Sequence, residues 1–392
     1  MSNSSVAAPD ANVELQGFCL PEFDQIRDAF QTGFDLGEEV GAGVSLVVDG
    51  ETVVDLWGGH RDRERSQAWE KDTIVCCMSS SKGLSAICMA MAIDRGLLSL
   101  DEPVATYWPE FAQNGKEKLP LRYVLDHRAG LPYVEELPAG TMDDFEANAA
   151  QLAKQKPLWE PGTVAAYHVQ SQGYLLGKIL QCVTGMKIGE FLRSEISEPL
   201  GVDFHIGLTR EEQERCAEFI VAQEVFAARA NAEPSLLTRG WDQMPEGDMQ
   251  DILNSEQWRA ADVSSGSGHG NGRALARVWG AIAAGGALDG VRLMSPETVK
   301  LLGTQQHDQV EVRANRRYRQ GLGVTLSGGP IMNYGPNPNS FGHPGVGGSI
   351  GFADPDLKLG FGYSPNNMNA TPDAGVRASR LVDALYTSVD WK

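Results

Sequence analysis

Met78-Ser79-Ser80-Ser81-Lys82-Gly83-Leu84-Ser85-Ala86-Ile87-Cys88-Met89-Ala90-Met91-Ala92-Ile93 reads as one helix, apolar around nearly its whole circumference after the first turn. Such a helix belongs in a core. Its first turn is the reverse: Ser79, Ser80, Ser81 and Lys82 are polar, and polar groups at the mouth of a buried helix need a cleft to open into. Residues i and i+3 share a helix face, so Ser79 Oγ and Lys82 Nζ can meet within hydrogen-bond reach. A serine hydroxyl is a poor nucleophile until a neighbour takes its proton. A lysine buried beside the positive end of a helix dipole is pressed to lose its charge and become that neighbour. This is the only Ser-x-x-Lys in the chain, but a lone match of this kind also arises by chance, so its surroundings decide.

Outward from the helix, the N-terminal side is built for a sheet. Gly41 to Val48 and Glu51 to Gly58 are β-rich runs joined by Asp49-Gly50, a strong type I′ hairpin signal. Pro21 to Gly37 carries helical periodicity in Phe23, Ile26, Phe30 and Phe34. Beyond the serine helix the pattern is mainly helical to about Ala284. Leu121 to Leu125 starts a helix closed by His127-Arg128-Ala129-Gly130-Leu131-Pro132, and Tyr167 to Thr184 forms another. Residues 205 to 262 show no clear period. The last hundred residues return to β character, with strands expected at Leu322 to Leu326, Gly348 to Ala353 and Leu359 to Tyr363, and Val376 to Tyr386 reads as a closing amphipathic helix. The expected class is α+β: one antiparallel sheet built from both ends of the chain and flanked by helices, with a mainly helical region inserted. The expected division is a flexible segment 1–19, an α/β unit from 20–78 and 285–392, and a helical unit 79–284, with the site between the last two.

Composition narrows the function classes. The chain has 392 residues, 42% hydrophobic and 22% charged, ample for a large core. A net charge of −19 argues against nucleic acid or an anionic membrane as partner. Met1 to Asn12 has neither a basic nor an apolar region of a secretory signal, and no stretch approaches the roughly 18 apolar residues of a spanning helix. The six cysteines show no Cys-x-x-Cys and the seven histidines no His-x-x-x-His. The expectation is therefore a reduced, cytoplasmic protein without a metal or other cofactor.

Three motifs in order then carry a resemblance: Ser79-Ser80-Ser81-Lys82, Trp159-Glu160-Pro161-Gly162 followed by Tyr167, and His343-Pro344-Gly345. Over roughly residues 20 to 390 the chain resembles the serine β-lactamases and penicillin-binding proteins, and within them the family VIII carboxylesterases. The resemblance implies a β-lactamase-like fold and a small ester as substrate, cleaved through an acyl-enzyme, with Ser79, Lys82 and Tyr167 catalytic. It puts His343 on the pocket wall, with Gly345 letting backbone pass close to a ligand. It also implies an oxyanion hole from the amides of Ser79 and Val346. Tyr133 and Trp159, with Trp241 and Trp258 as further candidates, stand where they can line an acyl or alcohol pocket; ordinary core packing serves equally well for each. The other reading of Tyr167 is a helix-start tyrosine with its ring in the core.

If Lys82 stays charged beside it, Tyr167 should be depressed from its ordinary value near 10 and share the proton of Ser79, with rates rising toward mildly alkaline pH. Two departures bear on the substrate. Val169 stands where β-lactamases carry asparagine, and His343 where they carry the lysine that grips a carboxylate. Both favour a neutral ester. A β-lactamase or amide hydrolase, an acyltransferase and a non-catalytic binding protein on the same fold are the alternatives.

Gly347-Gly348-Ser349-Ile350-Gly351 matches the Gly-x-Ser-x-Gly of α/β-hydrolases. It fails on context, since a β run follows Ser349 and no histidine comes after His343. Gly266-Ser267-Gly268-His269-Gly270-Asn271-Gly272 is phosphate-loop-like only in glycine content and reads as a flexible loop before a helix.

Overall fold

The computed structural model describes residues 13–230, 232–329, 334–369 and 374–388; the leader Met1 to Asn12 lies outside them. Among these, nine strands form one antiparallel sheet. They are β1 (Gln16–Cys19), β2 (Gly41–Val48), β3 (Glu51–Gly59), β4 (His307–Glu311), β5 (Arg316–Gln320), β6 (Thr325–Leu326), β7 (Phe341–Pro344), β8 (Ile350–Asp354) and β9 (Leu359–Pro365). Their spatial order is β1-β3-β2-β9-β8-β7-β6-β5-β4. The two ends of the chain meet where β9 pairs with β2, Phe361 opposite Leu46 and Tyr363 opposite Val44. Asp49 and Gly50 both take positive φ, 47° and 89°, as a type I′ turn requires.

Alternation along β9 decides the layering. Leu359, Phe361 and Tyr363 join one core with Phe30, Phe34, Leu381 and Leu385, supplied by helices Asp24–Asp35 and Gly375–Ser388. Each such side chain contributes about 1.5–3 kcal/mol by leaving water. Gly360 and Gly362 face the other way. A methyl group on either would collide with helix Gly272–Ala283, so the glycines let that helix lie directly on the sheet. That helix, expected within the helical unit 79–284, is thus a layer of the sheet. The serine helix runs Ser80–Asp94 in a second, larger core.

Several expectations need correction. Gln16–Cys19, expected in a flexible segment, pairs with β3 as an edge strand. The Gly266–Gly272 run is not a flexible loop: Gly268–Gly270 is the buried middle strand of a three-stranded sheet, between Val75–Cys76 and Phe204–Ile206. Phe204 packs where side chains on Gly268 and Gly270 would stand, so glycine is what the packing demands. The helix expected from Tyr167 begins at Ser171, leaving Tyr167 in the loop before it. All six cysteines lie among the described residues and are free thiols. No helix among the described residues is long and apolar enough to cross a membrane.

Candidate active site

The backbone sets Ser79 on a strained corner. Met78 has a φ of 46°, a left-handed conformation disfavoured for a long side chain, directly before the N-cap position that Ser79 occupies. A serine at this position usually caps the helix with its hydroxyl. Ser79 makes no side-chain cap bond, so its Oγ is left for other partners. Ser349, the serine of the Gly-x-Ser-x-Gly match, clamps this corner: its buried Oγ donates to the Cys77 carbonyl at 2.7 Å and lies 3.0 Å from Ser80 Oγ.

Lys82 is 1% exposed. Its Nζ donates to the carbonyl oxygens of Val169 at 2.6 Å and Ser265 at 2.8 Å. Among the described residues no carboxylate lies within ion-pair distance of it. Burial, and then the neighbouring Arg313 charge, hold the amine well below its ordinary value. A neutral amine has two N–H donors and one lone pair. Both donors are spoken for by the two carbonyls, and the lone pair remains.

Tyr167 sits with its ring centroid 5.0 Å from Lys82 Nζ. The expected depression of its pKa is not what the structure gives. Burial of the phenol, reinforced by Tyr318 stacked 6.0 Å away, raises it, and a hydrogen bond with Ser79 offsets this only in part. Burial thus holds Tyr167 as a protonated phenol beside a lysine whose own charge burial disfavours. Its loop is held by groups that no local sequence signal disclosed. The Tyr167 N–H donates to Glu311 Oε2 at 3.1 Å, and Glu311, 2% exposed, also accepts from the amides of Arg313 and Ala314. On either side, the Ala166 N–H donates to the His127 carbonyl and the His168 N–H to His127 Nδ1. The His127 ring lies 4.7 Å from that of Tyr167.

On the opposite wall β7 carries His343, 2% exposed, its ring 6.3 Å from Tyr167. Burial pushes its imidazole down to about 3, so it is neutral. The next turn brings Gly345 against the serine corner. A Cβ there would strike the Cys77 carbonyl and Ser349 Oγ, so the close approach this glycine permits is to the protein's own backbone and not, as expected, to a ligand. Neither the Ser79 N–H nor the Val346 N–H donates to a backbone or side-chain acceptor among the described residues.

Tyr133 is buried, with its hydroxyl accepting from Arg239 Nη1 at 2.8 Å and the guanidinium 4.2 Å from the ring centre. Trp159 is half-buried, and Trp258 is a core residue at 4% exposure. No bond or ring contact joins Tyr133 or Trp159 to Ser79, Lys82, Tyr167 or His343. The structure thus brings together Ser79, Lys82, Tyr167, His343 and the Gly345–Val346 turn.

Comparison with known proteins places the chain in a family. The family model described as Beta-lactamase matches residues 26–386. The chain is 33% identical over 376 residues to "Esterase/beta-lactamase LipL" of Mycobacterium tuberculosis, covering 93% of this chain and 86% of that protein. A solved family VIII carboxylesterase superposes with a TM-score of 0.87 at 36% identity, covering 96% of this chain and 100% of that one. EstA from Arthrobacter nitroguajacolicus Rue61a superposes at 0.84 with 29% identity, covering 96% and 98%.

Proposed function

The chain belongs to the beta-lactamase family, a serine hydrolase family with esterase members, and we propose that it cleaves small carboxylic esters through an acyl-enzyme on Ser79. One observation carries this reading: Lys82 is buried beside the serine corner with no carboxylate partner among the described residues, its N–H donors on Val169 O and Ser265 O. The lone pair is then the base that Ser79 needs.

Ser79 Oγ attacks the ester carbonyl as its proton passes to Lys82 Nζ. The carbonyl oxygen becomes an oxyanion and takes hydrogen bonds from the Ser79 and Val346 amides, the strongest single form of assistance such a site offers. On collapse the C–O bond to the alcohol breaks. The proton on Lys82 replaces the one that Tyr167 gives to the leaving oxygen, so the phenol acts as a relay and never has to persist as phenolate. Water then repeats the sequence in reverse and frees the acid. The raised pKa of Tyr167 suits a donor to an alkoxide, which is more basic still.

Ester cleavage is favoured over β-lactam cleavage by Val169 and by the neutral His343, which give a lactam carboxylate neither an amide nor a cation to bind. Parallel assays of an aryl acetate and a cephalosporin separate the two, and added alcohol reports acyl transfer as a new ester. The decisive variant is Ser79→Ala. It should lose both aryl acetate turnover and covalent labelling by a serine-directed phosphonate, and retained turnover would remove Ser79 from the chemistry.

A further inference from the structure

The His343 side chain ends in a hydrogen-bond acceptor that the protein itself leaves unused. Its Nδ1 lies 2.8 Å from the Pro344 carbonyl oxygen. A carbonyl only accepts, so Nδ1 carries the ring proton. The ring is neutral, so Nε2 holds a bare lone pair. That nitrogen is buried and has no hydrogen-bond partner among the described residues. His168, also buried, has both ring nitrogens paired: its Nδ1 donates to Ala166 O at 2.6 Å and its Nε2 accepts from the Leu131 N–H at 3.3 Å. Leaving such a group unpaired costs about 1–3 kcal/mol, and each instance calls for a reason.

Its position supplies one. The His343 ring is 6.3 Å from the ring of Tyr167, and in the reaction above Tyr167 hands its proton to the departing oxygen. His343 therefore flanks the alcohol half of the ester. A carboxylate there would meet a lone pair, and an ammonium group would find no carboxylate to balance it. A hydroxyl satisfies the nitrogen without either penalty. Resting on the serine hydrolase reading, we propose that the leaving alcohol carries a second hydroxyl, a few bonds from the ester oxygen, that donates to His343 Nε2. The substrate class is the monoesters of diols and polyols.

The test uses esters matched in size: 2-hydroxyethyl acetate against propyl acetate, and 3-hydroxypropyl acetate against butyl acetate. The wild-type enzyme should favour the hydroxylated member of at least one pair by about tenfold or more in kcat/KM, because a site built around a polar contact rejects the analogue that leaves it unpaired. His343→Phe should bring the ratio to near one. His343→Gln, whose amide oxygen accepts, should restore part of it. Aryl acetate turnover and phosphonate labelling are measured alongside. An enzyme active on aryl acetate that treats both members of each pair alike overturns the role of His343 and leaves the serine hydrolase reading standing. A preference that persists in His343→Phe overturns it too. A protein inert to aryl acetate and to the phosphonate overturns both.

Discussion

Lys82 and Arg377 are both basic side chains taken out of water, 1% and 4% exposed, and their surroundings are opposite. Arg377 is matched on every side. It bonds Glu39 Oε2 at 2.8 Å and the carbonyl oxygens of Glu38, Gly347 and Asn367, while Glu39 also takes the Tyr363 hydroxyl. Burial drives the Glu39 carboxyl up and the Arg377 charge pulls it back. Lys82 has carbonyl dipoles and, among the described residues, no anion. A buried cation with a counter-ion fastens helix Gly375–Ser388 to the sheet and, through the Gly347 carbonyl, steadies the turn that carries Val346. A buried cation without one is pushed toward giving up its proton. The same residue class thus does structural service in one core and offers a base in the other, and the difference lies in one carboxylate.

The sharpest way to break this contrast is at Lys82 and Tyr167. Lys82→Ala should lower kcat by 10²- to 10⁴-fold, the usual worth of a positioned base, and Tyr167→Phe by about 10²-fold or more. The double variant should be little worse than Lys82→Ala, since residues acting as one unit are not additive. Near-normal turnover in Tyr167→Phe would leave Lys82 as sole proton carrier. On the structural side, Arg377→Met leaves Glu39 charged or protonated without its partner. It should cost about 3–5 kcal/mol in denaturant unfolding; a loss under 1 kcal/mol would mean the pair holds nothing.

The pH dependence separates the two cations further. Between the lowered value of Lys82 in the folded chain and its ordinary 10.5, the unfolded chain holds a proton there that the folded chain does not. Stability therefore rises with pH through that window, at up to about 1.4 kcal/mol per pH unit. Relative to Lys82→Met, the wild type should gain stability from pH 7 to pH 10, and parallel curves would show that Lys82 is charged when folded. For the same reason kcat/KM should reach its plateau before the alkaline range, in place of the mildly alkaline rise expected for a shared lysine–tyrosine proton. The smallest effect belongs to Ser349→Ala. It should cost about 1 kcal/mol for one lost hydrogen bond, since the Cys77 carbonyl still accepts from the Ser80 N–H, while phosphonate labelling of Ser79 persists, which distinguishes clamp from nucleophile.

Legibility along the chain followed the range of the interactions. The Asp49-Gly50 hairpin and helix Ser80–Asp94 rest on turn chemistry and apolar periodicity, and both formed as read. Strands β4 (His307–Glu311) and β5 (Arg316–Gln320) were not read, because His307-Asp308-Gln309-Val310-Glu311 and Arg316-Arg317-Tyr318-Arg319-Gln320 lie at the sheet's end, partly in water, and show no apolar alternation. Gly268–Gly270 was missed for the opposite reason: its glycines have no side chains to alternate, and the aromatic ring that requires them comes from Phe204. In the site, Ser79, Lys82, Tyr167 and His343 stood out by motif. Glu311, which holds Tyr167 from 144 residues away, had no local mark.

The sequence by itself determined which groups could take part: a serine three residues before a lysine at the head of an apolar helix, a tyrosine, and a histidine where relatives of this fold carry lysine. These follow from spacing and residue chemistry, which local structure preserves. Tertiary structure alone decided their protonation. Burial lowers the pKa of Lys82 because its partners, Val169 and Ser265, lie 87 and 183 residues away and offer carbonyls and not carboxylates. Burial likewise keeps the Tyr167 phenol protonated, and the free lone pair of His343 is set by a single bond to the Pro344 carbonyl. A proton's position depends on the dielectric and charge around it, and those are fixed only when distant segments close over the site.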